Sequence, residues 1–145
     1  QKSSYIPDSF TTDDFDKLDL YQKVDRITTP EELDEYRSEI TDQYGRMPKE
    51  VSAIFEKKEF DLILDDPIVR NYRETKKAIE ITFSSLYSQK MDGVQLFESY
   101  TKISKDITIR YTDGSIHVMI PKKRNDMAMA KECIRKAREA IRDEN

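Results

Sequence analysis

The hydrophobic period of this chain changes once, at Asp65-Asp66-Pro67, and the two sides of that point demand different structures. Upstream, apolar residues recur at steps of three and four. Phe15, Leu18, Tyr21, Val24 and Ile27 form one series, Leu33, Tyr36 and Ile40 a second, and Val51, Ile54, Phe55 and Leu62 a third. A helix turns once in 3.6 residues, so these spacings predict three amphipathic helices. Downstream, Ile79, Ile81 and Phe83 alternate with Glu80 and Thr82, and the runs 107–111 and 116–120 alternate on either side of Asp113-Gly114. Alternation marks a half-buried strand, and a two-residue Asp-Gly link between such runs signals a hairpin.

Local signals set the ends. Thr12 caps a first helix that has Asp13 and Asp14 at its positive end and runs to about Ile27. Thr29-Pro30-Glu31-Glu32 is a capping box with Pro at the first helical position, and Gly45 supplies a left-handed stop. Pro48 opens the third helix. A short strand is expected over 68–72 and a short helix on Val94, Phe97, Tyr100 and Ile103. A last helix carries Met127, Ala130, Ile134, Ala137 and Ile141 inward and Lys131, Arg135, Lys136, Arg138 and Arg142 outward. The order predicts an α+β fold in which N-terminal helices pack with a small, mainly antiparallel sheet and a C-terminal helix. At 145 residues one core is expected, over 11–145, after an extended lead-in over 1–10 where Pro7 holds Ile6 extended. The absence of an initiator Met suggests a cut upstream.

Several function classes are disfavoured. No apolar run approaches 18 residues and no basic-then-apolar leader opens the chain, so neither a membrane span nor a secretory signal is expected, and the expected location is cytoplasmic. One Cys and one His can assemble neither an internal disulfide nor a thiolate-histidine zinc site. With three Gly, the chain has no Gly-rich phosphate loop, and no nucleophile or acid-base pair stands out, so neither a catalytic residue nor a cofactor of its own is expected. His117 alternates outward on a hairpin strand and reads as a surface histidine, and Cys133 as a small buried hydrophobe. Asp13, Asp14 and Asp16 lack the loop pattern of a calcium site and read as helix N-terminal charges, so no metal site is expected.

The net charge of −4 conceals a division. Residues 1–66 hold 18 Asp and Glu against 9 Lys and Arg, whereas residues 67–145 hold 11 against 16. Such asymmetry bears on partners. In the basic half, Lys122, Lys123 and Arg124 with Lys131 and Arg135 form a candidate phosphate-binding surface. The competing reading is a solvated face, since Glu132 and Glu139 interleave and no aromatic residue is placed for base stacking. In the acidic half, Glu39 and Asp42 share one face near the C-terminal end of the second helix, where the dipole disfavours carboxylates. They are either a solvated face or a surface that meets an external cation.

A longer pattern runs through the same region. Tyr5-Ile6-Pro7-Asp8-Ser9-Phe10, Leu20-Tyr21, Glu31-Glu32-Leu33 and Asp42-Gln43-Tyr44-Gly45, with Pro48, Glu50 and Val51, occur in the order and spacing of one known family. The chain resembles the C-terminal domain of Mfd, the bacterial transcription-repair coupling factors. Ser88-Gln89-Lys90-Met91-Asp92-Gly93 and Leu96-Phe97-Glu98 are similar to the corresponding stretch of Gram-positive members. The resemblance implies a parent that is an ATP-driven translocase on double-stranded DNA. Such a parent pushes RNA polymerase stalled at a lesion and recruits UvrA, using ATP and Mg in motor domains outside this chain. It implies that this domain is regulatory, docking on the parent's UvrB-like module to mask UvrA binding and to restrain the motor. It also implies that Glu39 and Asp42 face arginines of that module. Gln43 stands where the family usually has Arg, which leaves the surface beside the pair more negative.

Overall fold

A computed structural model describes the backbone of residues 14–142 and the side chains from Lys17 to Arg142. The expected lead-in over 1–10, the cap at Thr12 and the Asp13, Asp14 and Asp16 side chains lie outside the described residues. The chain forms two units, divided between Ile63 and Leu64.

The first unit is helical: α1 (Asp14–Arg26), α2 (Pro30–Tyr44) and α3 (Lys49–Leu64). Thr29 is extended, and its hydroxyl accepts from the Glu32 N–H at 3.1 Å. The hydroxyls of Thr28 and Thr29 donate in turn to the Glu32 carboxylate, at 3.2 and 3.1 Å. This satisfies one of the orphan donors at the start of α2 and fixes where it begins. Gly45 ends the helix at φ 85°, with its N–H on the Thr41 carbonyl at 2.8 Å. The core joins Leu20, Val24 and Ile27 to Leu33 and Ile40 and to Val51, Ile54 and Phe55.

The apolar stripe of α1 differs from expectation. Leu18 and Tyr21 are exposed, and Leu20 takes the inward position with Val24 and Ile27. Each step of three falls short of a full turn by about 60°, so Leu18 lies opposite Ile27, whereas steps of four and three hold one face.

The second unit comprises β1 (Val69–Glu74), β2 (Ala78–Phe83), α4 (Ser85–Ser88), α5 (Gly93–Ile103), β3 (Thr108–Thr112), β4 (Ser115–Pro121) and α6 (Asp126–Glu139). The strands form one antiparallel sheet in the order β1-β2-β4-β3. Asp113 at φ 54° and Gly114 at φ 80° make the turn between β3 and β4, which needs positive φ at both central residues. The register aligns Ile79 with Ile120, and Ile81 with Val118 and Ile109, on a face that is buried with Leu96, Tyr100, Ala130, Cys133 and Ile134. The Tyr100 hydroxyl donates to the Cys133 carbonyl at 2.6 Å and ties α5 to α6. The opposite face carries Glu80, Thr82, His117, Met119 and Arg110.

The short helix expected on Val94, Phe97, Tyr100 and Ile103 forms as α5. Val94 and Phe97 are 69% and 64% exposed, and α5 packs through Leu96 and Tyr100, four apart. The single turn α4 has no sequence expectation behind it. The Ser84 hydroxyl caps it, and the buried Ser88 hydroxyl joins it to the sheet by accepting from the Ile116 N–H at 2.9 Å.

Candidate docking site

The surface of α2 is set by its core side. Burial of Leu33 and Ile40, with Tyr36 half-buried against the ring of Phe55, turns the intervening positions to solvent. Glu39 and Asp42 are both exposed there, three residues apart, so their Cβ atoms are about 5–6 Å from each other. No basic residue lies in the last turn of α2 to offset them. Among the described residues neither carboxylate has an ion-pair partner. Two cations of this unit are engaged elsewhere: Arg37 reaches Glu59 at 4.0 Å and lies over the Phe55 ring, and Lys23 pairs with Asp19 at 3.6 Å. Burial, assisted by the charges of Asp19 and Glu39, pushes the Tyr36 phenol up to about 12. Gln43 directs its amide to the Tyr44 hydroxyl at 3.3 Å.

The basic set is arranged differently. Lys122 bonds Glu74 and lies 3.5 Å from Asp126, and Lys123 holds Asp106 at 2.7 Å. Arg135 is clamped between Glu132 at 2.9 Å and Glu139 at 2.6 Å, and Arg138 holds Asp66. These pairs lower the Glu132 and Asp106 carboxyls below the usual carboxylate range and raise Lys122 and Arg135, with the hydrogen bond the largest cause in each case. Lys131 is half-buried and also partnered, and Arg124 is exposed. The candidate phosphate-binding surface is therefore largely occupied by the chain's own acids.

His117 is half-buried on the open sheet face, its Nδ1 3.2 Å from the Thr82 hydroxyl, and Cys133 is fully buried. Among the described residues no group of His, Cys, Asp and Glu could hold a metal ion, and no helix is long and apolar enough to cross a membrane. Sequence reasoning passed over Arg110, which lies opposite His117 in the register and has no ion-pair partner among the described residues. No local sequence signal marks it, because its place at a sheet edge follows from the strand order.

Comparison with known proteins agrees with the resemblance. Residues 1–94 match the model of the TRCF domain. A transcription-repair-coupling factor of Bacillus subtilis is 28% identical over 120 residues, covering 83% of this chain and 10% of that protein. One from Borreliella burgdorferi is 27% identical over 136 residues, covering 81% and 12%. The chain thus spans about a tenth of the length of these relatives. The fold is similar to the crystal structure of the C-terminal domain of a transcription-repair coupling factor, with a TM-score of 0.63 at 19% identity, covering 96% of this chain and 91% of that one. With the family model matching well over half of its length, this chain belongs to the TRCF domain family.

Proposed function

We propose that this chain is a non-catalytic regulatory domain that acts by reversible docking of the acidic end of α2 on the UvrB-like module of the same protein. Docking there would mask UvrA binding and restrain an ATP-driven translocase that acts on double-stranded DNA and on stalled RNA polymerase. The observation that carries this reading is the contrast between the two charged surfaces. Glu39 and Asp42 are exposed and unpaired among the described residues, whereas the basic surface of α6 is largely tied up in ion pairs. An acidic pair at the negative end of a helix is stabilised when an external cation meets it. Arginine forks suit that task, and on an exposed surface each contributes only about 1 kcal/mol. Weak contacts suit a switch, because moving a two-state equilibrium across its range takes about 5.5 kcal/mol in all.

The test uses the full-length protein with Glu39→Arg and Asp42→Arg together. The expected outcome is raised basal ATPase or UvrA binding without the usual activating conditions. Unchanged ATPase together with unchanged UvrA binding would sink the proposal.

A further inference from the structure

β3 is the edge of the sheet, and among the described residues no strand pairs with its outer side. The two-residue turn closes on Thr112 and Ser115, which makes 112:115, 110:117 and 108:119 the hydrogen-bonded pairs of the hairpin. The backbone N–H and C=O groups of Ile109 and Tyr111 therefore point away from β4. Edge strands are commonly blunted by a bulge, a Pro or a Lys. The opposite edge follows this rule: β1 is irregular between Val69 and Asn71, and its Arg73 and Glu74 are held by Glu80 and Lys122. The sequence of β3, Thr-Ile-Arg-Tyr-Thr, contains no Pro or Lys, its one charge is Arg110, and its pairing with β4 runs without a shift.

We propose that β3 accepts an added strand from a protein partner, an extended segment in which an acidic residue is flanked by apolar ones. Backbone pairing would use the outward groups of Ile109 and Tyr111. Their side chains lie on the helix-covered face, where Tyr111 is 61% exposed, so the added residues opposite them extend the apolar core. The added residue between those two faces Arg110 on the open side of the sheet. Arg110 has no ion-pair partner among the described residues and lies beside His117, so a carboxylate complements it. The same arginine argues against a second copy of this chain as the occupant, since the register with greatest overlap sets Arg110 against Arg110. A nucleic acid is disfavoured because the open face, with Glu80, Thr82, Arg110, His117 and Met119, presents no Phe, Tyr or Trp for stacking and carries a carboxylate.

The probes are a capped nine-residue peptide of alternating valine and glutamate, its lysine-for-glutamate counterpart and a thymidine decamer, each titrated into the 145-residue chain and followed by amide NMR. The glutamate peptide is expected to shift the Ile109 and Tyr111 amides and slow their exchange. Tyr111→Pro removes an outward donor without taking a bond from β4, so it should abolish binding while leaving the rest of the spectrum in place. Arg110→Glu should weaken the glutamate peptide about fivefold and favour the lysine peptide. Absence of protection at saturating peptide, binding untouched by Tyr111→Pro, equal affinity for both peptides, or binding of the decamer in place of the peptide would each overturn the proposal.

Discussion

Among the described residues, four side chains resist ionisation for the same reason. Burial pushes the Cys133 thiol up to about 12, with Glu132 adding to the effect, and pushes the Tyr72 and Tyr36 phenols up to about 12. Tyr100, buried and donating to the Cys133 carbonyl, is raised further. Each group is neutral when protonated, and each is raised in the folded state relative to the unfolded chain. Their stabilising contribution is therefore complete below the unfolded values, about 8.5 for Cys and 10 for Tyr, and is lost as pH rises through the folded ones. The urea midpoint should be level near neutrality and fall from about pH 8.5 upward, with Cys133→Ala moving the onset towards about pH 10. A midpoint that stays level to pH 10.5 in the wild type would show that these groups open to water without unfolding.

At the scale of elements, the sequence was most informative where one residue's chemistry decides the backbone. Thr29 with Glu32, Gly45 and the Asp113-Gly114 turn each stand where a hydroxyl, a missing Cβ or two positive φ values are required. Thr29→Ala should accordingly cost about 1 kcal/mol. In thermal unfolding this appears as a lower midpoint, and Thr29→Ser should restore most of it. An unchanged midpoint for the alanine variant would mean that core packing alone starts α2. Which face of a helix is buried was harder to read. In α1 and α5 the apolar residues outnumber the inward positions: Leu18 falls in the stripe expected for α1 yet is exposed, and Val94 and Phe97 of α5 are exposed as well. Only the neighbouring elements, unknown from periodicity, choose between overlapping stripes. The acidic pair of α2 was legible because its environment is local to one helix. Arg110 was not, because its significance depends on the strand order, which places β3 at an edge.

Over the whole molecule, the division of charge along the sequence describes the two halves unequally. The acidic excess of residues 1–66 includes Glu39 and Asp42, which stay exposed and unpaired among the described residues, while much of the basic excess downstream faces the chain's own acids. A field of that kind favours a cationic protein surface over a polyanion. The decisive comparison titrates the 145-residue chain against duplex DNA and against the UvrB-like module proposed above as its partner, expressed separately, at about 50 and 200 mM salt, where exposed charges are screened to different degrees. The module should bind, weaken at the higher salt, and lose most of its affinity when Glu39 and Asp42 are both reversed. DNA should bind negligibly at either salt, because Lys122, Lys123 and Arg135 already face the chain's own carboxylates, which repel a phosphate. A steep salt slope for DNA, equivalent to about six phosphate contacts and reduced by Lys123→Glu and Arg135→Glu, would instead make the basic surface the working one.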